Sequence, residues 1–510
     1  MKYKFFRIVL LSLIVSTFSV IPCSEKFLVK AFPVEKSEWK GFVRYNFDFE
    51  GMAAHVTLPA KPLPGNPRVW RARFPDWHTE MESILLSESY HVACVNTDNM
   101  YGSSAVVVVC DHFSIETPRM GADFIKYFTE LPDEQLDSEN YHNHRNGIRN
   151  SFLKFQREKK GRVAFLGGSI TYNGGWRDSI CNYLEKRFPD TEFEFIAAGI
   201  PSMGTTPAAF RLERDVLSDG PVDLLFEEAA VNDAVNGRSS HEQVRAMEGI
   251  VRHVRRKNPA TDIVIMHFVD PQKMDIYHSG QVPEVIQNHE KVAAHYNIPT
   301  INLAKEVTER IDAGEFTWED DFKNLHPSPF GQQVYFRSMK AFLESAWAGS
   351  VAEDDKMETY PQPEPIDNAN YDNGKLVLAE NAKLINGWQI VKNWNPKDGK
   401  GTRENYVNVP MLVGQYEGSI LEFHFNGNAV GIAVAAGPDA GIIEYRIDDE
   451  NWQKQDLFTR WSLNLHLPWY YTLAAGLADG EHTLQIRITG EKNSQSVGTA
   501  CRIRYFYING

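Results

Sequence analysis

Five short apolar runs, separated by amphipathic stretches and spread over residues 161–347, constrain this chain more than any other feature. They are Val163 to Leu166, Phe193 to Ala197, Val222 to Phe226, Ile263 to Phe268 and Thr300 to Leu303. Between them Trp176, Ile180, Leu184 and Phe188 recur at a spacing of four. Ser240 with Gln243 reads as a capping box ahead of Val244, Met247, Val251 and Val254 on one helical face. The pattern predicts repeated βα units and a three-layer α/β domain, whose ligand groups gather at the carboxyl ends of parallel strands.

From about residue 376 the apolar period switches to two. Leu421, Phe423 and Phe425, then Ile443, Tyr445 and Ile447, then Leu484, Ile486 and Ile488, then Ile503, Tyr505 and Tyr507 alternate with polar residues. Turns such as Asn426-Gly427 and Asp479-Gly480 separate these runs, which predicts a β-sandwich over 377–510. The acidic, Pro-rich stretch at 348–376 reads as a linker. Residues 27–150 read as a small mixed α/β region, with Tyr45, Phe47 and Phe49 alternating, Val92 to Val95 and Val106 to Val109 as strands, and Met81 to Leu86 as a helix. Three folded parts suit 510 residues at roughly 150 per domain.

The amino-terminal residues 1–24 read as an export signal: Lys2, Lys4 and Arg7 precede an apolar run from Ile8 to Ile21 that is too short to span a bilayer. Cys23 offers a lipoprotein anchor, although Pro22 before it departs from the small residue such processing uses. Export would move the net charge from −14 to −17 by removing those three cations. An acidic chain lacks the basic surface that phosphate backbones demand, which argues against a nucleic-acid partner. No later stretch is apolar enough for a transmembrane helix. Cys94, Cys110, Cys181 and Cys501 are scattered without a C-x-x-C pair. His142 and His144 could share a metal, yet the Asn, Arg and Gly residues around them read as a polar loop, and no metal site is expected.

The chemistry gathers at three strand ends of the central domain. Ser169 follows the first strand and two glycines, where unpaired N–H groups at a helix start can face an oxyanion. Asn232 follows the third strand, and His326 follows the fifth. Together they supply a nucleophile, an oxyanion donor and a general base. Asp233, next to Asn232, reads as a structural cap or turn residue.

On these residues the segment 161–347 resembles an SGNH (GDSL-type) hydrolase. Gly167-Gly168-Ser169-Ile170-Thr171 matches the first family block, with Gly168 in place of the usual Asp. Gly199 to Thr206 resembles the second, in which Gly204 is the preferred oxyanion-hole residue and Gly199 and Ser202 remain alternatives. Asn232 matches the third block, with Ala230 in place of its Gly, and His326-Pro327 matches the last. The resemblance implies hydrolysis of carboxylic esters through an acyl-serine, with Ser169 and His326 catalytic, with the amides of Ser169 and Gly204 and the side chain of Asn232 as the oxyanion hole, and with no cofactor. One departure stands out: the family's triad Asp lies three residues before the histidine, and Lys323 occupies that place. Either Asp321 or Asp320 substitutes, or the site runs as a Ser-His dyad.

The carboxyl-terminal part, with its run from Trp461 to Tyr471, resembles the jelly-roll domains attached to bacterial polysaccharide esterases, and Trp461 and Trp469 could stack on sugar rings. Residues 41–103 resemble the opening strands of an α/β-hydrolase without a nucleophile elbow. The expectation is an exported esterase acting on O-acetyl groups of a poly- or oligosaccharide. A lipid or aryl esterase, and a glycan-binding protein with a decayed site, are the alternatives.

Overall fold

A computed structural model describes residues 35–49, 52–61, 68–71, 80–95, 136–352 and 354–510. The expected export segment with Cys23 and the expected strand at Val106 to Val109 lie outside the described residues. The chain falls into two compact units, one of residues up to 136 with 309–334, the other of 137–308 with 335–510.

In the first unit β1 (Glu35–Trp39), β2 (Phe42–Phe49), β3 (Met52–Leu58), β4 (Arg68–Arg71) and β5 (His91–Val95) form one sheet in the order β1-β2-β3-β5-β4. All pairs are antiparallel except β4 with β5. Tyr45 and Phe47 turn inward with the period of two, and a helix spans Glu80–Ser87. This is the small mixed α/β region expected there.

The second unit is built on β6 (His142–Asn143), β7 (Lys160–Gly167), β8 (Glu192–Gly199), β9 (Leu224–Glu228), β10 (Asp262–Met266) and β11 (Thr300–Ile301), in the order β6-β11-β10-β9-β7-β8. The five strands expected from the apolar runs are parallel, and β6 adds an antiparallel edge. Phe165 and Phe226 stack on one face, where Trp176 and Phe268 join them. Ala164, Leu166 and Leu225 point to the other face, against Phe210, Val244, Met247 and Ile250 of the helices Thr205–Leu212 and Ser240–Lys257. The latter helix is capped by Ser239, whose side chain accepts from the Glu242 N–H, one residue earlier than the Ser240 box expected. Among the described residues no helix is long and apolar enough to cross a membrane.

The carboxyl-terminal strands form two sheets of seven and five strands. Their inner faces share one core in which Leu421, Phe423, Ile443, Leu484 and Ile486 meet Val430, Ile432, Ile503 and Phe506. The expected alternation fails at one place. The pairing of Ala429–Ala436 with Cys501–Asn509 slips between Ala433 and Val434, which leaves Arg504 without an opposite residue on the Ala429–Ala436 strand. Such a bulge flips every later side chain to the opposite face. Phe506 and Ile508 therefore join Ile503 in the sandwich core, whereas Tyr505 and Tyr507 face outward.

Outward here means onto the α/β layer. Tyr507 and Tyr371 lie 4.4 and 4.6 Å, ring centre to ring centre, from Phe210 of the Thr205–Leu212 helix. Tyr470, Ala429 and Ala433 complete this shared core. The stretch at 348–376 has little regular structure, but it is not a free tether. Glu248 accepts the N–H groups of Ile366 and Asp367 at 2.6 and 2.8 Å, Arg245 holds Asp367 at 2.7 Å, and Tyr360 donates to Asp262 at 2.5 Å. Its acidic residues meet basic helix faces, a complementarity that composition alone cannot reveal. Each aromatic ring in such a core covers on the order of 150–250 Å². A chain truncated after Trp347 would bare that surface on Phe210 and its neighbours. It is expected to aggregate or lose its sharp thermal transition, a result that size-exclusion chromatography and calorimetry would check.

Candidate active site

Ser169 opens a single helical turn, Ser169–Tyr172, directly after β7. Its neighbours Ile170 and Thr171 are buried, while Ser169 itself is half-buried. The turn sits against the end of β8 so closely that a methyl group on Gly199 would lie 2.4 Å from the Tyr172 nitrogen. Gly168 marks the meeting point of three loops. A methyl group on it would lie 2.0 Å from Asn232 Oδ1 and 3.3 Å from the Met203 carbonyl oxygen. Thus the residue before the candidate nucleophile touches the candidate amide and the backbone next to Gly204. The Asn232 side chain fills the space that any Cβ at position 168 would need, which accounts for glycine there.

Gly204 precedes the Thr205–Leu212 helix, whose first N–H groups are unpaired by the helix itself. Asp233 stands behind it, fully buried. Its carboxylate accepts from the Thr205 N–H at 2.9 Å and the Thr205 hydroxyl at 2.7 Å, and faces His289 Nε2 at 3.1 Å. A methyl on Gly204 would lie 2.0 Å from Asp233 Oδ1. Asp233 is thus the expected cap, although it caps the neighbouring loop rather than its own turn. Ser202, one of the alternatives to Gly204, adopts a left-handed φ of 68°, and its carbonyl accepts from Asn236 at 3.0 Å.

Two more acids lie beneath. Glu228, at the end of β9, accepts the Val231 N–H at 3.3 Å and so steadies the turn that carries Asn232. Burial pushes its pKa up to about 7, against the Val231 N–H and the Lys273 ammonium, which lower it. Glu227 is pushed well above the carboxylate range by burial first and by the charges of Glu228 and Asp233, with Arg211 opposing. The buried Arg211 also donates to the Gly167 carbonyl at 3.2 Å, fixing the end of β7. Ala230, which replaces a family glycine, is buried as the first residue of the helix Ala230–Val235, so a Cβ is accommodated there.

His326 belongs to the other unit. There a wide turn, Trp318–Phe322, is capped by the Thr317 side chain, and Phe322 packs with Phe316 and Trp318. Lys323 follows with φ 77° and ψ −49°, and the Asn324 N–H donates to the Phe322 carbonyl at 3.1 Å. That is a γ-turn of the rare, strained hand. Strain of this kind persists where surrounding contacts over-determine it, frequently at functional loops. Here Ser328 supplies them, donating its N–H to the Phe322 carbonyl at 3.0 Å and its hydroxyl to the Asp321 carbonyl at 2.5 Å. His326 is exposed, and its N–H donates to Asn324 Oδ1 at 2.8 Å. Asp321 is buried, and its Oδ2 accepts from the Thr317 N–H at 2.6 Å, whereas Asp320 is exposed.

Of the sandwich aromatics, Trp461 is 42% exposed beneath the Arg460 guanidinium, and Arg460 donates to the Val235 carbonyl at 2.9 Å, three residues beyond Asn232. Trp469 is half-buried and packs against the sandwich core, so its ring is the poorer platform for a sugar.

Residues 165–334 match the model of the GDSL-like Lipase/Acylhydrolase family. No curated protein matches the chain. Among solved structures the chain resembles a two-domain esterase active on acetylated mannans, co-crystallized with mannopentaose, at 20% identity and a TM-score of 0.59, covering 74% of this chain and 99% of that one. A second structure of a two-domain esterase active on acetylated mannans gives 19% identity, a TM-score of 0.59 and the same coverage. An acetylxylan esterase from Geobacillus stearothermophilus covers 38% of this chain and 97% of its own, at 16% identity and a TM-score of 0.29. At such identities the two-domain likeness speaks for the fold. The family match speaks for the chemistry: residues 165–334 form a GDSL-like lipase/acylhydrolase domain, the framework of a carboxylic ester hydrolase.

Proposed function

We propose that the chain is an exported serine esterase that removes acetyl groups from carbohydrate. The observation that carries this reading is the meeting of Gly168, Met203 and Asn232 at one point, with Ser169 and Gly204 next in sequence. In the proposed mechanism Ser169 Oγ attacks the ester carbonyl while His326 takes its proton. The amides of Ser169 and Gly204 and the Asn232 side chain receive the charge that develops on the carbonyl oxygen. Collapse expels the sugar alkoxide, which His326 protonates, and His326 then deprotonates the water that releases acetate from Ser169.

Carbohydrate is preferred as the substrate because the fold likeness covers 74% of this chain and 99% of a two-domain esterase active on acetylated mannans. Trp461, exposed on a loop tied to Val235, offers a flat face for a pyranose. Residues 1–24 support export by their charge and apolar run. The test is acetate release from acetylated mannan, xylan, pectin and sialosides, run beside aryl acetates and long-chain acyl esters. Acetate from a polysaccharide is the expected result. Faster turnover of long-chain esters would point to a lipid esterase, and no hydrolysis of any ester would leave a glycan-binding protein with a decayed site.

We read the catalytic unit as a Ser169–His326 dyad. Lys323 cannot accept a hydrogen bond from the imidazole, and Asp321 has Oδ2 engaged by Thr317. Asp320→Asn and Asp321→Asn are each expected to change kcat by less than about tenfold, since loss of a triad Asp costs roughly ten-thousandfold. Steady-state kinetics on an aryl acetate decide this, and a drop of the larger size with folding intact would identify the missing acid.

A further inference from the structure

Far along the sheet from β7, the edge strand β6 and the short turn Ser138–Tyr141 before it bring three side chains together. His144 Nε2 lies 2.9 Å from Glu139 Oε2, and His142 Nδ1 lies 3.6 Å from Glu139 Oε1. One ligand atom from each residue falls within 4.8 Å of the other two. The pair His142 and His144 read as a polar loop in the sequence. Glu139, one turn earlier, changes that reading.

The informative atom is His142 Nδ1. Ser338 Oγ donates to Glu306 Oε2 at 2.5 Å, and Ser138 Oγ donates to Glu306 Oε1 at 2.6 Å. A carboxylate can only accept, so Ser338 spends its single proton on Glu306 and presents a lone pair to His142 Nε2, 2.9 Å away. Nε2 is then the N–H of a neutral ring, and Nδ1 is a bare lone pair. The His142 side chain is fully buried, and Nδ1 has no hydrogen-bond partner. A buried lone pair aimed at a carboxylate is repulsive, and a proton on Nδ1 would not relieve it well, because 3.6 Å exceeds hydrogen-bond length. A cation between the two would.

We propose that Glu139, His142 and His144 bind one divalent transition-metal ion, zinc being the natural occupant, through a carboxylate oxygen, Nδ1 and Nε2. Two imidazoles and a carboxylate favour zinc and its neighbours over calcium or magnesium, which prefer oxygen-only shells. The Ser338–Glu306 relay behind His142 is the kind of outer partner that fixes a ligating ring's tautomer. His144 is held flat against Phe342, ring centres 4.8 Å apart and planes within 8°. The side chains of Glu139 and His144 are 39% and 33% exposed, which leaves an open side for a water as fourth ligand. The ion would clip residues 139–144 together at the edge of the sheet, with a water completing its shell.

The test uses the full chain, stripped with chelator and titrated with Zn²⁺ by calorimetry, with Co²⁺ absorption as the report on geometry. We expect one tight equivalent, a tetrahedral Co²⁺ spectrum and a higher Tm with Zn²⁺ present. His144→Ala and Glu139→Gln change partly exposed side chains and should fold, yet each should weaken Zn²⁺ binding by at least about tenfold, and Ser338→Ala should do so through the tautomer. Absence of a one-to-one complex in the unmodified chain, or equal Zn²⁺ affinity in the unmodified and His144→Ala chains, would overturn the proposal. The outcome is independent of whether Ser169 is the nucleophile.

Discussion

Ser169→Ala is expected to lower kcat on an aryl acetate by at least about a thousandfold while Tm stays within a few degrees of the unmodified protein. The two halves of this expectation have separate physical grounds. Loss of turnover follows because the covalent path needs an oxygen at that position, and the neighbours cannot supply one: Ile170 carries no hydroxyl and Thr171 is buried. Retained stability follows because Ser169 is half-buried at the first position of a single turn, where alanine is a good helix former and a hydroxyl contributes little packing. A fluorophosphonate probe gives a second reading, since it should add one adduct to the unmodified chain, on Ser169, and none to the variant. More than a few per cent of residual activity, or labelling that persists in the variant, would remove Ser169 from the role.

The sheet that carries Ser169 was legible because its central strands β7, β9 and β10 are buried on both faces, which makes them largely apolar runs. Val163 to Leu166 and Ile263 to Phe268 are such runs, and the structure places β7 and β10 over them. β6 escaped because His142 and Asn143 have no apolar character, and only pairing with β11 makes them a strand. Ser239 and Ser240 are adjacent and each is followed three residues on by Glu or Gln, so the sequence offers two capping boxes in adjacent registers, and the structure uses Ser239. Tyr505 and Tyr507 continue the sequence alternation from Ile503 yet face the opposite way, because a bulge changes phase without any mark in composition.

At the site, the loops that meet were more legible than the groups that hold them. Motif spacing pointed to Ser169, Gly204 and Asn232, and the three loops do meet. The groups that hold those loops were not readable as such: Asp233 reaches 28 residues back to Thr205, and Glu228 and Arg211 act from beneath the sheet ends. Such contacts follow from the fold, not from local pattern. Gly168 is the instructive case. In sequence it looked like a departure from the family block, whereas in space it is the room that Asn232 occupies.

That packing makes the role of Asn232 testable by two routes. Asn232→Ala is expected to reduce kcat by about a hundred- to a thousandfold, because an amide aimed at the oxyanion meets a charge that exists only near the transition state. For the same reason KM should hardly move, so that kcat and kcat/KM fall together. Gly168→Ala approaches the same atom from the other side. Its φ of −91° is open to any residue, so the effect is steric: the new methyl would lie 2.0 Å from Asn232 Oδ1 and must drive the amide out of place. A comparable loss of kcat is therefore expected from Gly168→Ala alone. The two changes should not add, because once the amide is gone the methyl has nothing to displace, and a double-mutant cycle would show coupling well beyond the few tenths of a kcal/mol seen for independent sites. Full additivity, or a rise in KM at constant kcat for Asn232→Ala, would mean that Asn232 positions substrate or backbone and leaves the oxyanion to the amides of Ser169 and Gly204.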